Sequence, residues 1–397
     1  MENPAQGTIK VLKGNSAAAQ AVLLCKPDVV AAYPITPQSP VVEELSRFIA
    51  NGLLQAEFVE VEGEHSAMSV LIGASSSGGR VFSATSSNGL AYMFEAYIYA
   101  ATLRLPMVMV NVCRELAAPN TVLCSQQDIL TMRDAGWIQI HAESCQEILD
   151  TIIMAYKLSE DPDILLPVNV CYDGHYLSHL SSRVELPAQA DVAAFLPPRE
   201  LAECRLDPEK PMMQGIFLGG KPFTEHRHRH CMAMSHAKQK IDSIDREFHY
   251  AFGRKYGGLI EEYRVEDAEI LLLAMGSAAS TAKIVVDNKR DKGIKVGLIR
   301  IRAFRPFPLE RLAQAVHGKK ALGVIDRDVC FGWNAGIIFV ELRAALNRLG
   351  LSIPMVNFID GLSGGDITLE HIDRSVDLTS RAATGEPCQE VHWLALE

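Results

Sequence analysis

A chain of 397 residues, 48% hydrophobic and 22% charged, is long enough to build two or three globular units with cores of their own. A net charge of −10 and the lack of a basic stripe interleaved with aromatics argue against nucleic acid as a partner. The apolar runs are too short, or too broken by polar residues, to cross a bilayer, and the start (Met1-Glu2-Asn3-Pro4) has no leader-type character, so the expected location is the cytoplasm. Nine scattered cysteines without a C-x-x-C read as free thiols of a reducing compartment, and their spacing supplies neither zinc nor iron–sulfur ligands.

From Gly14 to Asp173, short β-branched runs alternate with longer amphipathic stretches, the pattern of parallel strands joined by crossover helices. The expected strands are Asp28–Tyr33, Glu57–Val61, Arg80–Thr85, Pro106–Val112, Trp137–Ala142 and Leu165–Tyr172. The helices between them fall near Val41–Ala50, Ser66–Ser75, Leu90–Thr102, Gln127–Asp134 and Gln146–Ser159. Gly174–Lys221, rich in Pro, Ala and Glu, reads as a long excursion. A helix is expected over about His226–Tyr256, stopped by Gly257-Gly258. A second α/β pattern follows: Glu269–Ala274, helix Ala278–Asn288, Lys295–Ile299, helix Leu309–Val316, Ala321–Asp326, helix Ala335–Leu349 and Met355–Ile359. Asp377–Glu397 shows no clear period. The fold class is therefore α/β with two parallel-sheet domains, residues 1–230 and 258–397, joined by a helix over 231–257.

Several segments carry residues suited to chemistry. Tyr33-Pro34-Ile35-Thr36-Pro37-Gln38-Ser39-Pro40 follows directly on a strand; its prolines stiffen a loop at a strand's carboxyl end, where open α/β sheets gather ligands, and Thr36 offers a hydroxyl to a carboxylate. A rigid turn without a ligand explains the same residues equally well. Glu64 falls where a strand gives way through Gly63 to a helix. There a carboxyl group beside an apolar wall has the raised pKa of an acid/base relay, while an acid that merely favours the helix dipole is the plainer explanation. Thr85-Ser86-Ser87-Asn88-Gly89-Leu90 is a small polar turn at a helix start, a backbone shape that receives anions or ring edges, yet it is no P-loop. Arg114 lies just past another strand end and can clamp a carboxylate or pair with an acid such as Glu115. His226, His228, His230 and His236 are interleaved with arginines that oppose a cation, so no metal site is expected. Gly361-Leu362-Ser363-Gly364-Gly365-Asp366-Ile367-Thr368 is a glycine-rich turn before a helix capped by Asp366 or Thr368.

Taken in order, Y-P-I-T-P (Tyr33–Pro37), E-H-S-A-M-S (Glu64–Ser69), T-S-S-x-G-L (Thr85–Leu90), R-D-x-G-W-I-Q (Arg133–Gln139), Y-D-G-x-x-x-S-H (Tyr172–His179), F-R-P-F-P (Phe304–Pro308) and G-L-x-G-G-D-I-T (Gly361–Thr368) span nearly the whole chain. With them the sequence resembles the α subunit of the 2-oxoacid:ferredoxin oxidoreductases, of which pyruvate:ferredoxin oxidoreductase is the familiar member. The resemblance implies a pyrimidine-type thiamine diphosphate domain followed by a transketolase C-terminal-like domain. It implies that Glu64 bonds the aminopyrimidine of the cofactor and starts its activation, that Thr36 and Arg114 hold the substrate carboxylate, and that Pro34, Ser87, Asn88 and Gly89 line the cofactor. It implies electrons leaving through iron–sulfur clusters and, in CoA-acylating members, an acyl-CoA product.

The G-D-G…N segment that binds the diphosphate and Mg²⁺ in such enzymes is absent, as are cluster cysteines. The resemblance thus implies a β subunit carrying diphosphate, Mg²⁺ and a cluster, with γ and ferredoxin-like subunits beside it. Two departures stand out: Gly365 occupies a position where the family often has Arg, and Cys113-Arg114-Glu115-Leu116-Ala117-Ala118-Pro119 followed by Asn120-Thr121-Val122-Leu123-Cys124-Ser125-Gln126-Gln127-Asp128 replaces the N-R-A-L-S-A-P and polar or aromatic stretch common in pyruvate enzymes. Smaller, more apolar groups beside the clamp leave room for a larger acid, so phenylglyoxylate stands beside pyruvate as an expected substrate. Two rival readings are a noncatalytic scaffold that retains the fold and a nicotinamide-dependent dehydrogenase, which lacks its glycine fingerprint here.

Overall fold

The structure, a computed structural model, describes residues 7–199 and 205–397. In the first half, parallel strands lie in the order Ile138–His141, Val168–Asp173, Val108–Cys113, Val81–Thr85, Val29–Ala32, Glu57–Glu60. The three central ones are buried at every residue, which is why they read as unbroken apolar runs rather than alternating ones. In the second half, Val391–Trp393, Met355–Ile359, Ala321–Asp326, Ile270–Met275 and Val296–Ile301 run parallel, and Ile260–Tyr263 closes the edge antiparallel. The chain is thus α/β with two mainly parallel sheets.

Differences from the sequence-based expectation fall at edges and junctions. The excursion expected over Gly174–Lys221 contains a strand, Ser181–Leu186, and a helix, Gln189–Phe195. That strand pairs antiparallel with Thr8–Lys13, and the two-stranded ribbon stands apart from both large sheets. The connecting helix runs Gly220–Phe252 and ends at Gly253, whose left-handed φ of 73° stops it before the expected glycine pair. Its buried residues His230, Ala233, Ala237, Ile241, Ile244 and Phe248 recur every three or four positions, so one face packs inward. His226 and His230 bond the carbonyls of Thr102 and Gly136 at 2.9 and 3.0 Å, which docks the helix on the first unit. The aperiodic tail resolves into the end of helix Leu369–Ala383 and the edge strand Val391–Trp393.

Strand Ala303–Arg305 belongs to the second half by sequence yet pairs antiparallel with Ile138–His141 of the first sheet. Two of the recurring motifs meet there. Arg133 and Arg305 converge on the Glu341 carboxylate, at 2.9 Å for Arg133 and at 2.6 and 2.7 Å for Arg305, while Trp137 stacks on Tyr97 at 4.1 Å. Beneath them, Arg300 and Arg302 both reach the fully buried Glu147, at 2.8 and 2.7 Å. A charge so deeply buried persists only with such partners. Here the partners lie on the other half, so the network fixes one unit against the other.

Candidate active site

The carboxyl ends of the first sheet place Tyr33–Pro40, Glu64, Ser87–Gly89 and Arg114 along one edge. Glu64 opens helix Glu64–Ser76, and the preceding Gly63 provides no side-chain cap. It is a first-turn acid, as the plainer reading has it, but it is also only 7% exposed. Among the described residues no side chain hydrogen-bonds its carboxyl group, and burial pushes that group above the ordinary glutamate range. Two residues away, exposed Glu62 accepts a hydrogen bond from the Ser66 hydroxyl and is held below the ordinary range. Position alone separates the two acids.

Gly89 faces the Glu64 carboxyl directly: a Cβ there would lie 2.4 Å from Oε1 and 2.7 Å from the Thr85 hydroxyl oxygen. Glycine is required by this close approach. The buried Thr85 hydroxyl has no hydrogen-bond partner among the described residues, so it and an acid without a side-chain partner flank the same glycine edge. Ser87 is buried with φ 49° and spends both polar groups internally, its N–H on Asp128 at 2.9 Å and its hydroxyl on the Glu115 carbonyl at 2.5 Å. Asn88 is exposed and accepts from the Ala117 N–H at 3.2 Å.

Arg114 and Thr36 are brought together: the Arg114 Nη1 donates to the Thr36 carbonyl at 2.9 Å, and its Nε to the Thr121 carbonyl at 2.7 Å. Glu115 is not its ion-pair partner; that carboxylate accepts from the Ser125 hydroxyl and the Leu116 N–H. The Thr36 side chain and Pro34 are exposed, while Pro37 is held from behind by Asn15, whose Nδ2 donates to the Pro37 carbonyl at 2.7 Å. Tyr172 in turn donates to Asn15 Oδ1 at 2.9 Å.

Sequence reasoning passed over Asp128, which is fully buried at the start of helix Gln127–Thr131. It accepts from the backbone N–H groups of Ser87, Arg114 and Ile129 and from Asn111 Nδ2. Burial pushes its carboxyl up to about 7 in spite of those four donors. An acid before a short apolar turn was the only local signal, and it is indistinguishable from a helix-start preference. The second half also reaches this edge: the Gly364 N–H donates to the Cys124 carbonyl at 2.7 Å, and Tyr176 donates toward the Gly364 and Gly365 carbonyls at 2.9 and 3.1 Å. Thr368 caps the following helix through its hydroxyl. Among the described residues no group of three or more His, Cys, Asp or Glu is arranged to hold a metal ion.

Two parallel-sheet units with an unpaired acid at a strand-to-helix turn define a class by fold. A 2-oxoglutarate:ferredoxin oxidoreductase from Magnetococcus marinus superposes with a TM-score of 0.72 at 20% identity, over 93% of this chain and 65% of that one. A split-gene transketolase superposes at 0.56 and 12% identity, over 95% of this chain and all of that one. Both are likenesses of fold. Residues 20–246 match the family described as pyruvate flavodoxin/ferredoxin oxidoreductase, thiamine diphosphate-binding, and residues 268–372 match pyruvate:ferredoxin oxidoreductase core domain II. The chain belongs to the pyruvate:ferredoxin oxidoreductase family. It is 44% identical to the α subunit of the NADH-dependent phenylglyoxylate dehydrogenase of Aromatoleum evansii, over 98% of this chain and 96% of that one. It is 45% identical to pyruvate synthase subunit PorA of Methanothermobacter thermautotrophicus, over 98% of each. Ketoisovalerate oxidoreductase subunit VorA of Pyrococcus horikoshii is 41% identical, also over 98% of each.

Proposed function

We propose that this chain is the α-type subunit of a 2-oxoacid oxidoreductase that works with thiamine diphosphate and partner subunits. The observation that carries the reading is the Glu64 carboxyl: nearly buried, without a side-chain partner, raised in pKa and set against the Gly89 edge. An acid in that state exchanges a proton with a ring nitrogen near neutral pH far more readily than an exposed one. The Thr85 hydroxyl, without a hydrogen-bond partner among the described residues, and the close glycine edge beside Glu64 support placing the aminopyrimidine of the cofactor there. When bound, thiamine diphosphate supplies the nucleophilic carbon and electron sink that a 2-oxoacid requires for decarboxylation.

Within this chain, Glu64 holds and moves the proton at the pyrimidine, Pro34, Asn88 and Gly89 border the ring, and Ser87 supports the turn from below. Arg114, with Thr36 beside it, orients the substrate carboxylate by charge-assisted hydrogen bonds. In the overall reaction the bond between the carboxyl and carbonyl carbons breaks and CO₂ leaves. The two electrons released would be taken up by iron–sulfur clusters held on partner subunits and by ferredoxin or another acceptor beyond them, and the acyl carbon would join the CoA sulfur as its thiol proton is released. Mg²⁺, the diphosphate site and the clusters are assigned to a β subunit, with γ and ferredoxin-like subunits completing the complex; the absence of a G-D-G…N segment and of clustered cysteines from this sequence supports that division. The proposed domains are 1–230, 231–257 and 258–397, supported by the two separate sheets and bridged by strand Ala303–Arg305. A cytoplasmic setting is supported by the free thiols of the eight described cysteines.

Purified with its partners, the complex is expected to form acyl-CoA and reduce a dye with at least one of pyruvate, phenylglyoxylate and 2-ketoisovalerate; turnover of none overturns the reading. The departures from the pyruvate-enzyme pattern around Arg114 make phenylglyoxylate as much an expected substrate as pyruvate, and equal or faster turnover of pyruvate counts against an enlarged pocket. Glu64→Gln is expected to lower kcat by roughly 10²–10⁴ with assembly intact. Wild-type turnover in that variant removes Glu64 from the proton relay.

A further inference from the structure

One buried acid near the site has no part in the proton relay and contacts no surface. Oδ2 of Asp128 alone accepts three hydrogen bonds, from the Ser87 N–H at 2.9 Å, Asn111 Nδ2 at 3.0 Å and the Arg114 N–H at 3.1 Å, and Oδ1 accepts from the Ile129 N–H at 2.8 Å. These donors come from three separate places: the turn after strand Val81–Thr85, the end of strand Val108–Cys113 with the residue just past it, and the acid's own short helix. Capping a five-residue helix needs only the last of them.

The converging donors do more than satisfy a charge. Ser87 is a non-glycine residue at φ 49°, a left-handed conformation that persists only where surrounding contacts over-determine it. Its N–H is held by Asp128, and two residues on, Gly89 abuts the Glu64 carboxyl. On the other side, the backbone of Arg114 is fixed at its N–H before the side chain sets out toward Thr36 and Thr121. All four groups aimed at Asp128 are N–H donors, so an ionised carboxylate satisfies them, whereas a protonated or amidated group turns a hydrogen toward one of them.

We propose that Asp128 is a positioning residue that ties the turn beneath Glu64 to the backbone of Arg114, and so fixes the separation between the proton-handling acid and the substrate clamp. The inference rests on the proposed 2-oxoacid reaction. Asp128 touches neither substrate nor cofactor and acts through Ser87 and Arg114.

The test uses the assembled complex. In Asp128→Asn, amide hydrogen exchange of the peptides containing Ser87 and Arg114 is expected to accelerate at least tenfold, while exchange in Ile270–Met275 and Ala321–Asp326 stays as in the wild type. The KM for the 2-oxoacid is expected to rise roughly tenfold, with a smaller fall in kcat, since the clamp is displaced before chemistry begins. Unchanged local exchange together with an unchanged KM overturns the proposal, as does a uniform loss of protection across both halves, which marks a general fold role. If Asp128→Asn does not assemble, Asp128→Glu keeps the charge but displaces it by one methylene. That variant should assemble and show the same local exchange and a KM shift of a few-fold, and wild-type behaviour in it overturns the proposal. Failure of the wild-type complex to turn over any 2-oxoacid strikes the functional reading instead, and the exchange data then still report whether Asp128 couples the two segments.

Discussion

The two halves of the chain share one architecture and use the carboxyl ends of their strands in opposite ways. On the second sheet, several polar groups at that edge are paired within the protein, although Oδ2 of buried Asp328 has no partner among the described residues. Asp326 accepts from the Ile338 and Phe339 N–H groups and from Asn357, Asp360 bonds His371 Nδ1 at 2.7 Å, and Arg327 reaches Asp173 of the first half at 3.0 Å. Ser277, where the helix after Ile270–Met275 begins, donates both its N–H and its hydroxyl to the same Asp173. On the first sheet, Glu64 is left without a side-chain partner among the described residues and Thr36 stays exposed. Open sheets offer ligands a crevice at this edge; here one crevice holds the other half in place and the other remains available for chemistry.

Breaking the second edge should have the largest effect. Asp173 is fully buried, and although burial raises its pKa, Arg327 and Ser277 outweigh that and hold it below the ordinary range. Arg327→Met strands this carboxylate and is expected to cost about 3–5 kcal/mol, seen as a large drop in the denaturation midpoint of the assembled protein. A midpoint near that of the wild type would show that the pair does not join the halves. The next effect belongs to the first edge. Arg114→Ala removes the guanidinium proposed to hold the substrate carboxylate by charge-assisted bonds, worth roughly 1.5–3 kcal/mol, so the KM for the 2-oxoacid should rise about 10–100-fold, with a small fall in melting temperature from the lost bonds to the Thr36 and Thr121 carbonyls. An unmoved KM takes the clamp away from Arg114.

The smallest effect sharpens the contrast through pH. An acid whose folded pKa is raised binds its proton more tightly folded than unfolded, so the folded state loses stability as pH rises from the ordinary glutamate range through the raised value. Glu64→Gln should therefore melt slightly above the wild type at neutral pH, and the two curves should merge below about pH 4, the unfolded carboxyl range. Equal melting at every pH would mean that Glu64 is solvated. Glu62, exposed and lowered in pKa, is expected to give no such gain.

The parallel strands of both sheets, apart from Val391–Trp393, were legible from sequence because buried strands and crossover helices differ in period and length, and Glu64, Thr36 and Arg114 were legible as strand-end residues in ordered motifs. Five short strands were not. Thr8–Lys13, Ser181–Leu186, Ile260–Tyr263, Ala303–Arg305 and Val391–Trp393 lie at edges or in the separate ribbon, where an exposed face dilutes the apolar signal or, for the buried three-residue Ala303–Arg305, the run is too short to show a period. The motifs R-D-x-G-W and F-R-P-F-P carry no chemistry that their residues reveal singly; paired strands and a shared Glu341 make them a junction.

By itself, then, the sequence determined the α/β class, the order of elements and which residues stand at strand ends, because each follows from local periodicity and backbone preference. Tertiary structure alone decided that Glu64 has no side-chain partner among the described residues while Asp326 is spent, that Arg114 turns to Thr36 rather than Glu115, and that Asp128 gathers donors from segments up to 41 residues away. Those are facts of burial and of which donors meet in space, and no local window contains both partners.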